Sequence, residues 1–188
     1  MSRVRITSGS AGGLFIQTPP RFSSRPTQER VREAFFSSIA PTLPGARFLD
    51  LCAGSGAMGI EAASRGAGEV TLVEENRSCV ATLVKNLQYC SLQARTLCQE
   101  ASRFLKESPD ESFDIIYADP PYSLFNGCLD SMIWRDDLVR VLAADGLLIW
   151  EHDRHSHWKQ PAGLELLKQK RFGDTLLTFL QKNEGTSV

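Results

Sequence analysis

An acid, two prolines and an aromatic ring stand together at Asp119-Pro120-Pro121-Tyr122, directly after the apolar run Phe113-Asp114-Ile115-Ile116-Tyr117-Ala118. The run reads as a buried strand. Neither proline has an N–H for a sheet ladder, so the strand must end there in a stiff loop. Such a loop offers the Asp119 carboxylate and the Pro120 carbonyl as acceptors beside the flat ring of Tyr122. That arrangement suits a planar group bearing an N–H donor, such as the exocyclic amine of a nucleobase. The lone pair of that amine is delocalised into the base, so two accepted N–H bonds would draw it outward and prepare it as a nucleophile held in line. Stacking on Tyr122 would hold the base.

A second constellation is Asp50-Leu51-Cys52-Ala53-Gly54-Ser55-Gly56-Ala57-Met58-Gly59, which begins in a strand and ends in a helix. Gly54, Gly56 and Gly59 match G-x-G-x-x-G, a spacing that turns a backbone sharply and lets it approach a ligand. Glu74 lies 20 residues after Gly54, at the end of the next strand, where an acid can accept from ribose hydroxyls. Two nucleoside cofactors fit the frame. A dinucleotide would put its pyrophosphate on the helix N-terminus, whereas S-adenosylmethionine would put its methionine moiety over the turn formed by Ala53, Gly54, Ser55 and Gly56. Asp50, four residues before Gly54, favours the second. A carboxylate there repels pyrophosphate and pairs with an ammonium. Glu100 and Ala101, after a third strand, are candidates for the adenine end of the cofactor, Glu100 by accepting from the amine; an acid at a helix start is also favoured by the dipole alone.

A third constellation is Arg25-Pro26-Thr27-Gln28-Glu29-Arg30-Val31-Arg32-Glu33. Thr27 fits a helix N-cap, and Arg25, Arg30 and Arg32 are placed to hold phosphates. With Arg3 and Arg5 they belong to a charge asymmetry: residues 1–32 carry six arginines and one acid, a charge of +5, so the other residues carry −6 to reach the net −1. A basic arm on an acidic body points to a polyanionic partner.

These groups need elements to position them. A composition of 42% hydrophobic and 23% charged over 188 residues belongs to an ordinary globular chain with one main core. Residues 1–24 read as an extended or hairpin-like arm. Pro26-Thr27 opens a helix in which Val31, Phe35 and Ile39 recur every four residues. Strands are expected at Arg47–Cys52, Val70–Glu74, Arg95–Cys98, Phe113–Ala118 and Gly146–Glu151. Helices are expected between them at Ala57–Arg65, Ser78–Tyr89, Ala101–Lys106 and Leu129–Leu142. This alternation predicts a parallel sheet with crossover helices. Leu164–Lys170 and Thr175–Gln181, joined with no helix, predict an antiparallel hairpin at the sheet edge. The expected organisation is an arm over residues 1–24, a domain over 25–182 and a tail over 183–188. Five cysteines without a C-x-x-C pair argue for reduced thiols in a cytoplasmic protein. No zinc or other metal site is expected, no apolar stretch approaches a membrane span, and the N-terminus lacks a signal-peptide core.

Together these residues resemble the RsmD-type family, bacterial methyltransferases acting on the N2 amine of a guanine in 16S ribosomal RNA. The likeness rests on Arg25-Pro26-Thr27 with Arg30-Val31-Arg32-Glu33, on Asp50 through Gly59 continuing as Glu61-Ala62 and Ser64-Arg65-Gly66-Ala67, on Val73-Glu74, and on Asp119-Pro120-Pro121-Tyr122. It implies a Rossmann-like class I methyltransferase fold with a seven-stranded sheet, S-adenosylmethionine as donor, and an arm that holds the RNA. The partner it implies is 16S ribosomal RNA, naked or in a small-subunit assembly particle, with the target guanine flipped out of the RNA; a monomer is expected because nothing in the sequence demands a dimer. Glu75-Asn76 and Glu100 depart from the family pattern. From the residues alone, three other readings stay open: a nucleotide-dependent oxidoreductase, a non-catalytic RNA-binding protein, and an amino-methyltransferase acting on DNA adenine.

Overall fold

The computed structural model describes residues 2–19, 29–120, 135–156 and 161–183. The chain divides into two compact units, Met1–Ala101 and Ser102–Val188.

The first unit begins with an antiparallel pair, β1 (Arg3–Arg5) and β2 (Phe15–Gln17), with Val4 opposite Ile16. Val4, Ile6, Ala11 and Ile16 are buried, so the described part of the arm belongs to the core of this unit. Helix α1 (Glu29–Ile39) follows and buries Val31, Arg32, Phe35, Phe36 and Ile39. The predicted start of this helix, at Pro26-Thr27, lies outside the described residues. Strand β3 (Arg47–Leu51), helix α2 (Ala57–Ser64), strand β4 (Glu69–Glu74), helix α3 (Arg77–Tyr89) and strand β5 (Arg95–Cys98) then alternate as the periodicity predicts. β3 and β5 flank β4, and both pairings are parallel. Phe35, Phe36 and Phe48 meet edge-on or stacked, with ring centroids 4.7 to 6.4 Å apart, and fix α1 on β3.

The second unit follows Ala101, the first residue of α4 (Ala101–Glu107). Strand β6 (Phe113–Ala118), helix α5 (Arg135–Val141), strand β7 (Leu142–Asp153) and the hairpin β8 (Leu164–Phe172) and β9 (Thr175–Lys182) complete it. Its strand order is β6-β7-β9-β8, with β6 parallel to β7 and β9 antiparallel to both of its neighbours. Strands β3 to β9 make a seven-stranded sheet, mostly parallel and ending in the expected hairpin.

One boundary is corrected. The helix expected through Leu142 ends at Val141, and β7 starts four residues before the expected Gly146. Leu142 is already paired with Phe113, while Ile115 pairs with Leu147, so the intervening residues form an irregularity in the ladder. Gly146 sits in this tight stretch, where a Cβ would lie 2.7 Å from Leu142 Cγ. Among the described residues Cys52, Cys79, Cys90 and Cys98 form no disulfide, and no helix is long and apolar enough to cross a membrane.

Candidate active site

The chain leaves β3 through three positive backbone angles in five residues: Cys52 at φ +70°, Gly54 at +55° and Gly56 at +79°. Gly56 ends the turn as the N-cap of α2, where no side chain caps the helix. The turn is closed by hydrogen bonds from Ala53 N–H to Val73 O and from Gly56 N–H to Ala53 O.

Asp50 caps α2 from a distance. Its side chain is 1% exposed, and its Oδ2 accepts the N–H of Gly59 at 2.8 Å. That N–H belongs to the first turn of the helix, which has no partner within the helix. Burial pushes the Asp50 carboxyl up to about 7; the Gly59 N–H pulls it down and the charge of Glu74 pushes it up further. Glu74, 6% exposed, holds the other side of the turn: Oε2 accepts from Gly54 N–H and Oε1 from Asn76 N–H, both at 2.8 Å. The Asn76 side chain in turn caps α3 by accepting from the N–H groups of Ser78 and Cys79. The two acids singled out in the sequence therefore both shape the glycine turn. Each oxygen of Glu74 keeps a second lone pair for a hydroxyl donor.

The space in front of the turn fits a ligand approach. A Cβ added at Gly54 would meet nothing within 4 Å, whereas one at Gly59 would lie 2.1 Å from Leu72 Cδ2. The first glycine is open toward a ligand and the last is closed by packing of α2 on β4. Two buried carboxylates facing the turn suit an ammonium and ribose hydroxyls; they oppose a pyrophosphate. This pair of acceptors thus fits S-adenosylmethionine better than a dinucleotide.

Asp119 follows β6 and is exposed, while the adjacent Pro120 is buried. Tyr122 lies outside the described residues. Tyr117, two residues before Asp119 and buried, donates its hydroxyl to Glu151 Oε2 at 2.5 Å, which fixes a carboxylate near the end of β7. Sequence reasoning read Tyr117 only as part of a buried strand and Glu151 only as the end of the next one, because a hydrogen bond between two strands far apart in the chain leaves no mark in either run. Glu100 is exposed just before α4, which Ala101 opens.

A match to the family model described as Conserved hypothetical protein 95 runs over residues 4–181. Ribosomal RNA small subunit methyltransferase D of Escherichia coli (strain K12) is 38% identical over 182 residues, 96% of this chain and 90% of that protein. The chain belongs to the RsmD-type family. Among solved structures, the Escherichia coli protein yhhF superposes with a TM-score of 0.82 at 32% identity, covering 96% of this chain and 98% of that one. The Thermus thermophilus 16S rRNA N2 G1207 methyltransferase (RsmC), solved with AdoMet and guanosine, gives a TM-score of 0.70 at 22% identity over 97% of this chain and 50% of that one, a likeness of fold. The RsmD-type chain thus has the Rossmann-like class I methyltransferase fold.

The basic residues divide. Arg3, Arg5 and Arg30 are exposed, and Arg5 pairs with Glu29 at 3.3 Å. Arg25 and Thr27 lie outside the described residues. Arg32 is a correction: it is 1% exposed and its Nη2 donates to the carbonyl of Arg5 at 2.6 Å, so it fastens the arm to α1 and presents no charge to a phosphate. Helical spacing carried the warning, because residues 32, 35, 36 and 39 form one apolar stripe.

Proposed function

We propose that this chain transfers a methyl group from S-adenosylmethionine to the exocyclic N2 amine of a guanine in 16S ribosomal RNA, with the target base flipped out against Asp119–Tyr122. The observation that carries the reading is the exposed Asp119 carboxylate beside the buried Pro120 at the end of β6, in a chain whose relative over nearly its whole length is named a ribosomal RNA small subunit methyltransferase. When bound, S-adenosylmethionine supplies a methyl group already activated on a sulfonium. Asp50 pairs with the ammonium of its methionine moiety, Glu74 receives the ribose hydroxyls while holding Gly54 and Asn76, Ala53, Ser55 and Gly56 line the turn, and Glu100 with Ala101 flanks the adenine. Asp119 and the Pro120 carbonyl accept the two N–H bonds of the guanine amine, and Tyr122 stacks on the base, a contact worth about 1–3 kcal/mol. Flipping brings the amine out of any stacked or paired arrangement. Arg3, Arg5, Arg25 and Arg30 hold phosphates, with Thr27 at the head of the helix that carries Arg30.

Methyl incorporation into unmodified 16S ribosomal RNA, followed by nucleoside mass analysis, tests the reading. The expected product is N2-methylguanosine, and Asp119→Ala is expected to lower kcat/KM by roughly 100-fold or more, on the scale of a lost group acting at the reacting atoms. A methylated adenosine as product, or full activity in Asp119→Ala, would overturn it.

A further inference from the structure

Asn86 lies on α3, outside every motif, and is 3% exposed. Its side-chain amide bonds to backbone at three points. Oδ1 accepts the N–H of Gln17 at 2.9 Å, and Nδ2 donates to the carbonyl of Gln17 at 2.9 Å and to that of Ser55 at 3.0 Å. An amide nitrogen has two hydrogens, so one serves the arm and the other serves the glycine turn. Gln17 is the last residue of β2 and stands opposite Arg3 in the hairpin. Ser55 stands between the two left-handed glycines of the turn. One turn before Asn86, the buried Leu83 reinforces the link, since a Cβ on Gly56 would lie 2.9 Å from its Cγ. At the other end of α3, the Asn76 cap is tied through Glu74 to Gly54. The helix is thus a strut fixed to the turn at two points, and the arm is bonded to the second.

We infer that Asn86 is a positioning residue that couples the arm to the cofactor turn, so that RNA held on the arm and cofactor held on the turn strengthen each other's binding. This rests on the proposed function. Loading the arm fixes Gln17, which fixes the Asn86 amide, which fixes the direction of the Ser55 carbonyl; the same bonds act in reverse, as linkage demands. A buried asparagine that only stabilised the hairpin would lower both affinities without linking them.

The experiment is calorimetric titration of S-adenosylhomocysteine into the full-length protein, with and without a saturating unmodified 16S ribosomal RNA transcript. In the wild type the RNA is expected to tighten S-adenosylhomocysteine at least about fivefold, the lower end of ordinary coupling. Asn86→Asp keeps the acceptor for Gln17 N–H and faces both carbonyls with oxygen in place of a donor. The ratio of affinities is expected to fall to within about twofold of one, even where each affinity drops. A variant that keeps the wild-type ratio, or a wild type that methylates the RNA yet shows no ratio, overturns the coupling and leaves the methyltransferase reading intact. Failure of the wild type to methylate the RNA at all overturns that reading instead. Should Asn86→Asp not fold, hydrogen exchange on the wild type decides: S-adenosylhomocysteine must slow exchange in residues 14–18 as well as 53–57, and protection confined to the turn sinks the proposal.

Discussion

Asp50 carries the sharpest consequence for a single group. An ammonium partner requires its carboxylate, yet burial lifts the carboxyl to about 7, far above its ordinary 3.8. S-adenosylhomocysteine affinity should therefore be flat above about pH 7.5 and fall by up to about tenfold per unit below 7, with a proton released on binding near neutrality. Titration calorimetry in buffers of different ionisation heat checks both; pH-independent binding across 5.5 to 8 would show that Asp50 does not face the ammonium. The same shift acts on folding with the opposite sign. A carboxyl whose folded value is raised stabilises the native state fully below 3.8 and loses that contribution as pH rises toward 7. At this scale the glycines and both acids were legible, because left-handed angles and buried charge restrict residue type strongly. Asp50's capping bond to Gly59 was not legible, since it depends on how α2 lies against β3. Arg32 was misread for a related reason: its charge was weighed as surface while its helical position was not.

Gly59 decides how closely α2 approaches the sheet. A Cβ at this position would lie 2.1 Å from Leu72 Cδ2 and 3.3 Å from Asp50 Oδ2. Gly59→Ala must therefore push the helix outward, at a cost of roughly 1–3 kcal/mol typical of overpacking. Urea unfolding should show the loss, and the double variant with Leu72→Ala should recover part of it, since the clash is with that side chain. Full additivity of the two changes would place the strain elsewhere. Helices and strands of the alternating region were readable from period and punctuation. The irregular start of β7 was not, because a bulge follows from what β6 offers opposite it and from nothing within Leu142–Gly146 itself.

For the molecule as a whole, the charge asymmetry of +5 on residues 1–32 against −6 on the rest makes RNA binding a salt-dependent quantity. Replacing the exposed Arg3, Arg5 and Arg30 together by Ala should weaken RNA binding and flatten the slope of log K against log salt by about 2, on the scale of about 0.7 per neutralised phosphate on a single strand. An unchanged slope would remove these residues from the interface. The sequence showed that the arm is basic. It did not show that the arm is anchored, because the anchors come from far along the chain. Glu61, fully buried, accepts from Thr7 N–H and Oγ1, Ser8 N–H and Arg65 Nε. Ser64 Oγ donates to Ser8 O and accepts from Ala11 N–H, and Ser64 O accepts from Ser10 N–H. These anchors set an order of assembly. On the ribosome, Thr7 is made 54 residues before the carboxylate that holds it, so the arm must wait for α2 before it can settle. Until then its arginines and apolar side chains are unfixed, and Glu61, once made, has its buried place completed only when the earlier-made Thr7 and Ser8 return to it.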